Sequence, residues 1–161
     1  MAKDFLLAML FFLAAPLAVA IPKCIGDEEL MAEVAAGILF KQGFYAVHCD
    51  ALLREGADFT GESLSSMHRR FMDKFDAHIT RYTTTREKLF QRLYGNRWES
   101  VMAKDRKIRT RELLLNTRLD ADSCGIFRTG MLNRLESDWE DFQTRLGRAF
   151  SAIRPRLTGC G

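Results

Sequence analysis

Between Lys23 and Arg154 the chain contains no proline; its three prolines are Pro16, Pro22 and Pro155. Proline removes a backbone donor and clashes with the preceding turn, so this long proline-free stretch is open to extended helices. Apolar residues within it recur at steps of three and four, and no alternating run is long enough to read as a strand. Helices with single apolar stripes can bury them only against one another. The expected fold is all-α, an antiparallel bundle of four to five helices stapled by two disulfides.

The pattern divides as follows. A first helix is expected from Asp27, with Glu28 and Glu29 complementing its positive end, an apolar stripe of Leu30, Val34 and Ile38, and a stop at Gly43. A short second helix, Phe44 to about Arg54, carries Val47, Cys49 and Leu52 or Leu53, and "EGADFTGES" then reads as a loop. From Glu62 to Tyr94 the spacing predicts one long helix, roughly 50 Å at 1.5 Å per residue. Its bend is expected at "RYTTTRE", where β-branched threonines weaken helix propensity. Gly95 ends that helix and Asn96 caps the next, Arg97 to Leu119, which is expected to bury Trp98, Met102, Ile108, Leu113 or Leu115, and Leu119. A last helix, Cys124 to Arg154, shows the clearest stripe: Phe127, Met131, Leu135, Trp139 or Asp138, Phe142, Leu146, Phe150 and Ile153.

The N-terminus, "MAKDFLLAMLFFLAAPLAVA", has a lysine near its start, an apolar run from Phe5 to Leu13, and Ala18 and Ala20 flanking Val19. This is the pattern of a cleavable secretory signal peptide, residues 1–20, cut after Ala20. The run is short for a bilayer core of about 30 Å. Cys24 follows Ile21-Pro22-Lys23, which is no lipid-attachment junction. The mature chain, 21–161, is expected to be a single helical domain of about 140 residues, exported to the periplasm or secreted, with no membrane span. Lys3 and Asp4 cancel, so it keeps the net charge of +3 of the full sequence, whose 24 basic and 21 acidic residues are interspersed along most of the chain. So small an excess, in an exported chain, argues against a nucleic-acid partner.

All four cysteines, Cys24, Cys49, Cys124 and Cys160, follow the cleavage site. An even number in an exported chain reads as a disulfide framework. Bridged Cα atoms lie within about 7 Å. A helix of about 24 Å separates Cys24 from Cys49, and one of roughly 45 Å separates Cys124 from Cys160, which disfavours pairing neighbours. The nested scheme, Cys49 with Cys124 and Cys24 with Cys160, is favoured because it joins two helix-embedded cysteines and ties the termini. The crossed scheme, Cys24 with Cys124 and Cys49 with Cys160, stays open.

The segments "HCDALL", "RRFMDKFDAHITRY", "KLFQRLYGNRW" and "SCGIFRTGML" together resemble small exported helical proteins of alphaproteobacteria. These carry one cysteine in an early helix, a Phe-rich long helix, a glycine stop after an aromatic residue or histidine, and a second cysteine opening a late helix. The likeness covers residues 35–132 and includes no catalytic motif. It implies pairing of Cys49 with Cys124 and brings no activity with it. The stretch from Trp98 to Leu119 departs from that pattern by being much more basic.

Several residues invite a chemical reading. His48 precedes Cys49, but a c-type haem needs Cys-x-x-Cys-His, and adjacent helical residues point about 100° apart, so His48 is poorly placed to activate a thiol. Cys124, at a helix start, would be a reactive thiol only if unpaired. His68 and Met72 share a helical face, but His78 lies too far along to complete a metal site. Zinc-protease, nucleophile-elbow and phosphate-loop motifs are absent. No catalytic residue, cofactor-binding residue, metal ligand or cofactor is assigned.

One charged stretch stands out. "KDRKIRTRE" gathers Lys104, Arg106, Lys107, Arg109 and Arg111 around Asp105, and Arg97 and Arg118 extend the basic character. One reading is a solvated face balanced by the acidic "ESDWED" of the last helix; the other is a patch that docks on an anionic protein, lipid headgroup or surface polymer. With every common catalytic signature missing, the expectation is a non-enzymatic helical binding or accessory protein, such as an inhibitor, immunity-type protein or envelope partner. The alternatives are a carboxylate-dependent envelope hydrolase, which needs two carboxylates in a pocket, and a holding chaperone, which needs a broad apolar concavity.

Overall fold

A computed structural model of the chain describes residues 25–55 and 61–156. The expected signal peptide and cleavage site, together with Cys24 and Cys160, lie outside the described residues. Within them the chain is all-α, with α1 (Asp27–Glu55), α2 (Leu64–Lys74), α3 (Asp76–Tyr94), α4 (Trp98–Asn116), α5 (Ala121–Glu136) and α6 (Trp139–Ile153).

Three acidic residues open α1, and the Gly26 N–H donates to the Glu29 carboxylate at 2.9 Å, occupying one donor at the helix start. The helix then runs through Gly43, which does not stop it, so the expected first and second helices are one. A Cβ at residue 43 would lie 3.2 Å from His68 Nε2 of α2. The glycine is used for close approach between helices, and that contact offsets its weak helix propensity. Leu30, Ala32, Val34, Ala35, Phe44, Ala46 and Cys49 are all buried on α1, which is packed by α2, α3, α5 and α6. A helix apolar around most of its circumference belongs at the centre of a bundle. The length and composition of α1 would also let a helix cross a membrane, and here it is contacted by four other helices.

The stretch read as one helix from Glu62 to Tyr94 is two. Ser63 caps α2 by accepting from the Ser66 N–H at 3.1 Å, and Asp50 of α1 accepts from the Leu64 and Ser65 N–H groups at 2.6 and 3.0 Å. The break falls at Phe75 (φ −115°, ψ 21°) and not at the threonines. Phe75 is buried between Phe71 at 5.0 Å and Trp139 at 5.3 Å, and the bend serves that aromatic cluster. The threonine run stays helical: Thr83 Oγ1 donates back to the Ile79 carbonyl at 3.0 Å, and Arg86 just beyond it is anchored on neighbouring helices.

Gly95 ends α3 with φ 52°, a backbone region that suits glycine. A 3-10 turn, Gly95–Arg97, precedes α4, whose N-cap is Arg97 without a side-chain cap bond, so Asn96 does not cap it. The expected last helix is also two. Asp120 and Ser123 form a reciprocal capping box at the start of α5. Asp138 opens α6 by accepting from the Asp141 N–H at 3.0 Å, so "ESDWED" encodes a helix start. Lys74 closes the corner, donating to the Leu135 and Ser137 carbonyls at 2.8 Å each.

Cys49 and Cys124 are disulfide-bonded, with Cα atoms 5.4 Å apart and a sequence separation of 75. This excludes the crossed scheme. Both are fully buried, beside a core that includes Leu64, Met67, Phe71, Met131 and Leu146.

Candidate functional site

Glu33 and Asp105 are the fully buried charged residues among those described. Glu33 projects from α1, Arg86 from α3, and Asp105 and Arg109, one turn apart, from one face of α4. Arg86 Nε donates to Glu33 Oε1 at 2.6 Å and Arg86 Nη2 to Asp105 Oδ2 at 2.8 Å. Arg109 Nε donates to the same Asp105 oxygen at 2.8 Å and Arg109 Nη2 to Glu33 Oε2 at 3.0 Å. Each acid meets both arginines and each arginine meets both acids, which makes a closed ring of zero net charge.

The ring is dry. Side-chain exposures are 6% for Glu33, 13% for Arg86, 5% for Asp105 and 18% for Arg109. Gly37, one turn from Glu33, lies beside it: a Cβ there would sit 3.4 Å from Arg109 Nη1, in ordinary contact. Arg86 also lies over the Phe90 ring, 4.7 Å from its centre. Burial, and then the nearby Asp105 and Glu33 carboxylates, push the Tyr94 hydroxyl pKa up. Charges of both signs removed from water need this completeness of pairing, because an unmatched buried charge is strongly destabilising.

The ring alters the basic cluster read from the sequence. Arg109 turns inward and is consumed by it, whereas Lys104, Arg106, Lys107 and Arg111 remain exposed. At 100° per residue, Lys104, Lys107 and Arg111 fall within about 60° of one another, opposite Asp105 and Arg109. Arg106 points away from that trio on the same reckoning. Arg97 is exposed in the 3-10 turn, and Arg118, beyond the helix, lies 3.5 Å from Asp120 at the surface. Asp105 is the single fully buried residue of α4. Trp98, Met102, Ile108, Leu113 and Leu119 are only half-buried, and Leu115 is exposed, contrary to the apolar burial expected of this helix.

The other singled-out residues have structural surroundings. His48 Nδ1 donates to the Phe44 carbonyl at 2.8 Å and its ring stacks on Phe44 at 4.1 Å, while Cys49 is bridged to Cys124. His78 stacks on Trp139 at 4.3 Å, and Met72 is half-buried against the core. His68 is tucked against Gly43 with Nδ1 buried and unpartnered; burial, and then the Arg134 guanidinium, hold its pKa below the usual histidine value. Burial and Arg145 in turn bring Arg134 down to about 10.

Sequence reasoning missed Glu33 and Arg86 entirely. The available signal was Asp105 and Arg109 at i,i+4 spacing, an acid and a base that share one helical face. No protein-family model, curated protein or solved structure matches this chain.

Proposed function

We propose that this is an exported, non-enzymatic accessory protein that acts by binding an anionic partner through the outward face of α4. The observation that carries this reading is the sorting of charge on that helix. Asp105 and Arg109 are sealed in the ring, whereas Lys104, Lys107 and Arg111 share the opposite, exposed face, and no carboxylate falls in that sector of the helix. The ring holds the helix to α1 and α3, so the cations are presented from a fixed support. The buried Cys49–Cys124 bridge favours an oxidising compartment, and a second bridge, Cys24 with Cys160, would tie the ends of the mature chain.

A hydrolase reading would want two carboxylates open to substrate. Glu33 and Asp105 are instead each held by two guanidiniums. The test is retention of the mature protein on an immobilised soluble polyanion such as heparin. Wild type should be retained and released by salt, with retention lost in the Lys104→Glu/Lys107→Glu/Arg111→Glu variant. Equal retention of the two proteins would remove the proposal.

A further inference from the structure

We infer that the anionic partner is a phospholipid surface, and that Leu114 and Leu115 enter it beside the cations. This rests on the reading of α4 as a docking helix and names what it docks on. Leu114 and Leu115 are 55% and 72% exposed at the end of α4. On the helical projection Leu115 falls beside Lys104 and Arg111, and Leu114 beside Lys107. The outward sector therefore combines three cations with two large apolar side chains along roughly 16 Å of helix.

Folding does not account for these leucines. The inner face of α4 is built around an ion ring and half-buried apolar residues, whereas Leu114 and Leu115 lie outside the core, a departure from the usual pattern for a packed helix. Leucines flanked by lysine and arginine on one exposed helical face match what lies in a membrane interface, apolar groups among the acyl chains and ammonium and guanidinium groups at the phosphates. A protein partner fits less well, because lysine is depleted from protein–protein interfaces. The helix is already folded and braced, so binding carries no cost of ordering it. With three cations and two leucines the attachment is peripheral and reversible, and sensitive to salt.

The experiment is co-sedimentation of the mature, disulfide-bonded protein with two vesicle types: pure phosphatidylcholine, and phosphatidylcholine mixed with phosphatidylglycerol. Wild type should sediment with the anionic vesicles only. Lys104→Glu/Lys107→Glu/Arg111→Glu should weaken binding by at least roughly a hundredfold, at about 1 kcal/mol for each basic residue lost from the surface, before the repulsion of the new carboxylates. Leu114→Ser/Leu115→Ser should weaken it by about tenfold or more and leave the remainder fully salt-sensitive. Arg106→Glu, exposed but off the face, should bind within about twofold of wild type. All these positions are exposed, and an unchanged helical circular dichroism spectrum confirms that each variant is folded.

The lipid assignment is overturned if wild type ignores anionic vesicles, if the leucine variant binds as wild type does, or if Arg106→Glu matches the loss caused by Arg111→Glu alone. Retention on heparin that is lost in the triple variant, without vesicle binding, would leave the anionic-partner reading standing and this one refuted. Loss of neither signal in the triple variant would refute both.

Discussion

At the scale of single residues, the consequential feature is that each ring member is necessary to the others. Removing one guanidinium leaves two buried carboxylates sharing a single counter-charge. Arg86→Met should therefore destabilise the fold by about 3–5 kcal/mol in urea denaturation. Replacing all four, as Glu33→Met, Arg86→Leu, Asp105→Leu and Arg109→Met, should recover most of that loss, because paired charges repay little more than their desolvation. A quadruple variant less stable than Arg86→Met would show that the ring contributes net attraction. His68 supplies a second residue-scale effect. Its pKa is depressed in the folded state, first by burial and then by Arg134, so below about pH 6.5 the unfolded chain binds a proton that the folded chain refuses. Stability is at its full value above that pH and falls as acid is added, until the folded pKa is passed. Denaturation midpoints for wild type should drop between roughly pH 7 and pH 5.5, and His68→Gln should flatten that drop.

At the scale of elements, glycines and caps decided what periodicity could not. Gly43 reads as a helix stop, yet it lies inside α1, where its missing side chain admits His68. Gly43→Ala gains up to about 1 kcal/mol of helix propensity, but the new Cβ would press on His68 at 3.2 Å. The single change should be destabilising in thermal unfolding, and it should turn stabilising in a His68→Ala background. Additive effects in that double-mutant cycle would show that the contact is not what holds the glycine. The long helices broke where local chemistry gave the backbone an alternative. Asp138 is a good N-cap placed before a tryptophan that packs on Phe75 and His78, and Phe75 itself bends the chain into that cluster. The Asp138 signal was present in "ESDWED" but reads equally as surface charge. The bend at Phe75 has no local signal, since a phenylalanine on an apolar stripe is ordinary helix until Trp139 arrives from elsewhere in the chain.

For the whole molecule, the Cys49–Cys124 bridge is the longest-range covalent constraint among the described residues. It closes a loop of 75 residues between the central helix and α5. The chain-entropy model gives an upper value of about 4.5 kcal/mol for such a loop. Cys49→Ala/Cys124→Ala should therefore lose about 2–4 kcal/mol by denaturant titration, with the helical spectrum retained at low temperature. A double variant as stable as wild type would mean that packing around α1 already restricts the unfolded chain.

The sequence by itself determined the all-α class, the start of α1 and the end of α3 at Gly95, each from local periodicity or turn chemistry. It favoured Cys49 with Cys124 but left the crossed scheme open, and the folded chain decided between them. Tertiary structure alone decided that α1 is one central helix, that the long segments bend at Phe75 and break at Ser137–Asp138, and that Arg109 leaves the basic cluster while Lys104, Lys107 and Arg111 stay outside. The physical reason is that the ring joins residues separated by 53 and 76 positions. Whether a charge on α4 faces water or a counter-charge depends on which helices are packed against it, and no spacing within α4 contains that information.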